Sequence, residues 1–161
     1  MCSSDLSFTF ETIMDFDPQS FKQLAGIVLL YDMDNWVYMH LSMNERNRRC
    51  ISVYQAENKH YTCLYDEVTV PDKGIIHMRA DVRDCVAELQ YRISDNGMTR
   101  QKEGAAAAWT TAVEGLDVSF LSDEACMDGW FSGAVYGICC EDLTGSGAFA
   151  DFRDIRFKAP N

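Results

Sequence analysis

The stretch Leu24-Ala25-Gly26-Ile27-Val28-Leu29-Leu30-Tyr31, followed by Asp32-Met33-Asp34-Asn35 and then Trp36-Val37-Tyr38-Met39-His40, decides the fold. Its first part is a nearly continuous apolar run bounded by Lys22-Gln23, too short to cross a bilayer, which takes about 20 apolar residues. Its middle is rich in turn formers, whose short polar side chains bond back to their own backbone. Its last part alternates, with Trp36, Tyr38 and His40 out of phase with Val37 and Met39, the period of an extended chain. The whole reads as strand, tight turn, strand, with core packing as the expected role of Trp36 and Tyr38. His40, at the end of the second strand, is expected at the surface or as a hydrogen-bonded core histidine rather than as a ligand.

The same period recurs outward from this hairpin. Phe8, Phe10, Thr12, Met14 and Phe16 alternate with Thr9, Glu11, Ile13 and Asp15. Further strands are expected over Arg49 to Gln55, Tyr61 to Asp66, Ile75 to Val82, Val86 to Ile93, Phe131 to Glu141 and Phe149 to Phe157. Asn58-Lys59, Asp72-Lys73-Gly74, Ser94-Asp95-Asn96-Gly97 and Thr144-Gly145-Ser146-Gly147 break them, and Asn96-Gly97 suits a hairpin that needs positive φ. Strands at this spacing belong to a sandwich or a barrel. Glu103 to Val113 has an alanine run, but Gly104 and Trp109-Thr110-Thr111 are poor helix formers, so an inserted loop is expected there rather than a short helix. Gly26, Gly133 and Gly137 fall inside expected strands, where a missing side chain marks a bulge or a close backbone approach.

At 161 residues with 47% hydrophobic content the chain fills one domain and leaves no room for a second. Asp plus Glu number 25 against 14 Lys plus Arg, and the resulting charge of -11 repels phosphate backbones and anionic lipid, which argues against nucleic-acid and membrane partners. Seven cysteines leave at least one unpaired; with no C-x-x-C, and with His40, His60 and His77 remote from them in sequence, a zinc framework has no support. Small buried thiols in a reducing cytoplasm are expected, in keeping with the lack of a basic start followed by an apolar core. No cofactor motif is present: there is no P-loop, no Gly-rich dinucleotide turn and no G-x-S-x-G elbow. Asp123-Glu124 and Glu141-Asp142 are adjacent pairs whose members point to opposite faces of a strand, so neither makes the facing carboxylates that glycoside hydrolysis needs.

Taken together, several pieces resemble a known family. They are Glu11-Thr12 with Asp15-Phe16, Phe21 to Val28, Asn35 to His40, Leu116 to Glu124, Phe131 to Leu143 and the closing Ala150-Asp151-Phe152, in order over more than a hundred residues. The chain is similar to the C-terminal concanavalin-A-like domain of family 43 glycoside hydrolases, the β-xylosidases and α-L-arabinofuranosidases. The resemblance implies an all-β antiparallel β-sandwich of jelly-roll type. It also implies an accessory role: docking on a catalytic β-propeller that holds the acid and base carboxylates, and meeting a xylo-oligosaccharide substrate only through that domain.

Within that resemblance, Phe131 begins the F-[ST]-G-A piece and is the residue expected to reach the propeller's substrate pocket, with its neighbour Trp130 as the alternative. An independent carbohydrate-binding module and a purely structural domain are the competing readings. Trp109 stands where the family carries a tryptophan, after an insert from Met98 to Ala108. Asp151 is weighed as a calcium ligand, but one carboxylate makes no site, and a solvated edge position is expected. The family's sandwich begins a strand or two before Phe8, so residues 7–161 are expected to be a sandwich lacking its start. Residues 1–6, Met-Cys-Ser-Ser-Asp-Leu, match the translation of a common sequencing-adapter end and are read as a non-native leader.

Overall fold

The computed structural model describes residues 7–94, 108–125 and 133–159. These form ten strands: β1 (Phe8–Asp15), β2 (Gln23–Asp32), β3 (Asn35–Met43), β4 (Arg49–Glu57), β5 (His60–Thr69), β6 (Ile75–Arg83), β7 (Val86–Ser94), β8 (Thr110–Asp117), β9 (Val135–Asp142) and β10 (Asp151–Lys158). They pair into two five-stranded sheets, in the orders β10-β1-β6-β7-β8 and β5-β4-β3-β2-β9. All pairings are antiparallel, and the two sheets stack as the expected sandwich.

Three hairpins are closed by two residues each, and the chemistry of each turn is local. Between β2 and β3, Asp32 Oδ1 accepts from the Asp34 amide at 2.8 Å and from Asn35 Nδ2 at 3.0 Å. Between β4 and β5, Asn58 and Lys59 take φ of 47° and 70°, and between β6 and β7, Asp84 and Cys85 take 49° and 63°. Positive φ at both central positions matches the twist of the flanking strands. Asn35 Oδ1 also accepts from the Asn58 amide at 2.9 Å, which ties the first two turns together.

The core lies between the sheets. Phe8, Phe10, Met14, Ile76, Met78 and Leu89 come from one side, and Ile27, Leu29, Val37, Met39, Leu41, Ile51 and Val53 from the other. The alternation at β1 is therefore in the expected phase, whereas that at β3 is reversed. Val37, Met39 and Leu41 face the core, while Trp36 and Tyr38 lie on the outer face of their sheet. The reason is that β2 and β3 are apolar on both faces, so periodicity gives the strand without saying which phase points inward.

Other expectations also change. Thr110 to Val113, expected as part of an inserted loop, instead belong to β8, which the β-branched run Thr110-Thr111 opens and which pairs with β7 through two register shifts. β9 starts at Val135 and β10 at Asp151, each later than the sequence suggests. The Asp95-Asn96-Gly97 turn and the leader at residues 1–6 lie outside the described residues. Gly26 is a close approach, since a Cβ there would meet the Met39 carbonyl oxygen at 2.0 Å. Gly137 faces open space, and Gly133 precedes β9 in a left-handed conformation at φ +69°. Of the cysteines, Cys50 is a buried free thiol as expected, but Cys63 and Cys140 are exposed and Cys85 is disulfide-bonded. At one end of the sandwich the buried Arg49 guanidinium donates to the carbonyls of Phe16 at 3.1 Å, Pro71 at 3.1 Å and Gly74 at 3.2 Å, fastening two connections, β1–β2 and β5–β6, to β4.

Candidate functional site

The outer faces of the two sheets differ. On the β1-β6-β7 sheet the face is polar: Glu11 pairs with Arg79 at 2.6 Å, and His77 shares a hydrogen bond with Ser94 at 3.0 Å. The guanidiniums of Arg79 and Arg92 both lie over the Trp109 ring, at 4.2 and 4.7 Å from its centroid. That position uses the indole face to spread two like charges, a cation–π arrangement. The outer face of the other sheet is apolar, which is unusual for a sheet side turned away from the core. It forms a groove of about 640 Å³.

Strand register builds this groove in rows. One row runs Cys139, Gly26, His40, Ser52 across β9, β2, β3 and β4. The next runs Gly137, Val28, Tyr38, Tyr54, and the third Val135, Leu30, Trp36, Ala56. The Tyr38 hydroxyl donates to the Cys139 carbonyl at 3.4 Å. His40 packs against Tyr38 at 4.8 Å and stacks on Tyr54 at 5.8 Å. Phe21, Met33 and Leu143 stand exposed among its lining residues. At the β4/β5 side two register shifts bracket Val53, and Glu67 adopts φ 39° with its amide donating to Ser52 Oγ at 3.1 Å. A bulge of this kind re-aims a side chain, here placing Glu67 among the lining residues.

Burial sets the electrostatics. His40 is 4% exposed, its Nδ1 has no partner, and its pKa falls to about 4 because burial penalises the imidazolium. His40 is thus buried, one of the two expected placements, but its Nδ1 is left without a hydrogen-bond partner. Tyr38 is held far above the usual phenol range, first by burial and then by Cys139 and Glu141. Burial also lifts the Cys50 thiol to about 11. At pH 7 the floor therefore carries a neutral imidazole, two neutral phenols and a neutral thiol.

Glu67 and Glu141 are the carboxylates that line the groove. They sit on β5 and β9, the two edges of one five-stranded sheet. Four strand spacings of ~4.8 Å put those edges roughly 19 Å apart. A glycosidase needs its pair about 5–10 Å apart. Among the described residues no group of three His, Cys, Asp or Glu side chains could hold a metal ion, and Asp151 is exposed at the start of β10. Phe131 and Trp130 lie outside the described residues; Val135, four positions after Phe131, pairs with Leu30 at the Trp36 end of the groove. Sequence reasoning missed the groove itself. Its signal was present in Leu24, Val28 and Leu30, apolar residues in the phase opposite to the core-facing ones.

Two five-stranded antiparallel sheets packed around one core define the class of a β-sandwich domain. The family model for the β-xylosidase C-terminal concanavalin A-like domain matches residues 3–158, and the chain belongs to that family. An Escherichia coli K12 protein is 33% identical over 150 residues, covering 91% of this chain and 26% of its own length. The β-xylosidase of Bacillus subtilis is 28% identical over 156 residues, covering 95% of this chain and 27% of that enzyme. The crystal structure of xylan β-1,4-xylosidase from Bacillus halodurans C-125 superposes with a TM-score of 0.82 at 25% identity, over 94% of this chain and 27% of that one. The chain thus spans about a quarter of the length of the relatives it matches.

Proposed function

We propose that this chain is the accessory, non-catalytic sandwich of a xylan-degrading family 43 glycoside hydrolase, and that it docks on a catalytic β-propeller of the same polypeptide and completes its substrate pocket. The observation that carries this reading is membership in a family of β-xylosidase C-terminal domains by a chain that spans only about a quarter of its relatives. Phe131, with Trp130 next to it, is the side chain proposed to reach the xylo-oligosaccharide. In the parent enzyme, Phe131→Ala is expected to change KM or kcat for an aryl xyloside severalfold while leaving the melting temperature in place. Unchanged kinetics with a lowered melting temperature would instead make Phe131 a packing residue and remove it from the pocket.

A second reading, an independent carbohydrate-binding module, is favoured by one observation: the aromatic floor of the groove around Trp36, Tyr38 and Tyr54. Aromatic faces offer the C–H side of a sugar ring a flat apolar partner. Affinity electrophoresis of the chain in xylan gels separates the two. Retardation that Trp36→Ala abolishes supports the binding module, and unretarded migration supports the accessory domain.

A further inference from the structure

The aromatic side of the groove extends past its floor. Tyr61 on β5 aligns with Ala56 on β4, and Ala56 with Trp36 on β3, so all three share the outer face of the sheet. Ala56 is a small residue between two large ones, and the rings of Trp36 and Tyr61 meet with centroids 6.1 Å apart. One row along, Tyr38 aligns with Tyr54 and Tyr54 with Cys63. Tyr61 is 68% exposed, while Trp36 and Tyr54 are half-buried, so ring surface remains open above the β3–β5 half of the sheet. The charged lining of the groove has one sign. Glu67 and Glu141 line it, no Lys or Arg does, and neither carboxylate joins an ion pair among the described residues. The Ser42 hydroxyl already donates to backbone, with the Gln23 carbonyl at 2.9 Å, which leaves the groove rich in acceptors.

A ligand that suits these surroundings offers flat apolar faces, donates hydrogen bonds and carries no negative charge. We propose that the groove takes a neutral oligosaccharide and rejects one that bears uronic-acid carboxylates, with Glu67 and Glu141 as the residues that discriminate and Tyr61 as a stacking platform beyond the floor. The C–H faces of successive sugar rings lie on the aromatic rings, and their hydroxyls donate to the two carboxylates in charge-assisted bonds. A volume of about 640 Å³ is of the size that ligand sites take. The separation of the carboxylates favours a chain of sugars over a compact cation. At roughly 19 Å apart on opposite sheet edges, the two can be reached together by an extended ligand, whereas a small cation meets one of them at most. A ligand carboxylate, by contrast, enters a groove with no cation to receive it, on a chain that already carries -11. The inference rests on the binding-module reading of the groove and adds to it the charge class of the ligand and the residues that read it.

Calorimetric titration of the chain at pH 7 and low salt compares two probes, xylohexaose and a xylo-oligosaccharide of the same length that carries one glucuronic acid branch. The expected result is that xylohexaose binds about fivefold or more tightly than the acidic sugar, and that the difference falls below about twofold in the Glu67→Gln, Glu141→Gln double variant. Tyr61→Ala, at an exposed position, is expected to weaken xylohexaose about fivefold. Two exposed free thiols locate the sugar without relying on any variant: Cys63, beside Tyr54 on the groove face, and Cys140, in register with Ala25 on the opposite face. Iodoacetamide labelling of Cys63, followed by mass spectrometry, should slow at saturating xylohexaose while that of Cys140 stays unchanged. Equal affinity for the two sugars, or a difference that the double variant keeps, overturns the proposal and leaves the binding module standing. Xylohexaose binding that leaves Cys63 unprotected places the sugar elsewhere and overturns the proposed site. A chain that binds neither sugar overturns the binding-module reading and this inference together.

Discussion

His40 carries a proton only at a cost in the folded chain. Its pKa is lowered from 6.5 to about 4, so below pH 6.5 the unfolded chain binds a proton that the folded chain refuses. Stability from this group is complete above about pH 7 and is lost as the pH falls through that interval, at about 1.4 kcal/mol per unit. Relative to His40→Gln, the wild type is expected to lose roughly 3 kcal/mol between pH 7 and pH 4, read from urea midpoints. Parallel curves for the two proteins would show that the imidazole is not so confined. A second residue-scale contrast concerns glycine. Gly26→Ala drives a methyl into the Met39 carbonyl oxygen and is expected to cost about 3 kcal/mol or more, whereas Gly137→Ala meets nothing and should be neutral or stabilise by up to about 1 kcal/mol. Equal melting temperatures for the two variants would contradict that geometry. In the sequence these glycines look alike, both inside apolar strands; only the strand that lies alongside separates them. His40 is similar, because its place in an alternating strand is legible while the stacking that buries it comes from Tyr54, on the next strand.

At the scale of elements, β1 and the β2–β3 hairpin are legible because their patterns are long and bounded by turn formers. β8 is not, since Trp109-Thr110-Thr111 follows an alanine run and reads as a helix interruption, although the same β-branching suits a pleated surface. The turn at Asp84-Cys85 also escapes, having no glycine or asparagine to mark its positive φ. The packing of elements against one another rests on Arg49, whose guanidinium holds the carbonyls that follow β1, follow β5 and precede β6. Arg49→Met leaves those buried carbonyls unpaired and is expected to cost about 3 kcal/mol in chemical denaturation. Arg49→Lys should recover little of it, since a single ammonium cannot reach in all three directions with the planar fork. A lysine variant within about 1 kcal/mol of wild type would refute this role.

Considered as a whole molecule, the fold class and family were legible, the apolar outer groove was not, and the pocket residues Phe131 and Trp130 stay proposals drawn from resemblance. With Glu67 and Glu141 on opposite sheet edges, the chain alone is expected to release no nitrophenol from aryl xylosides or arabinofuranosides. Turnover that survives repurification and vanishes on substituting one carboxylate would overturn that expectation. The pairing of β1 with β10 has a consequence in time as well as in space. Thr9 aligns with Lys158, so β1 is made long before the strand that flanks it on one side. At 5–20 residues per second the interval is roughly 7–30 s, during which β1 can pair with β6 but not with β10. Throughout that wait a half-built sheet carries Phe8 and Phe10 along an unguarded border. The order of synthesis thus leaves that border open until the last strand is made, and slower elongation lengthens its exposure in direct proportion.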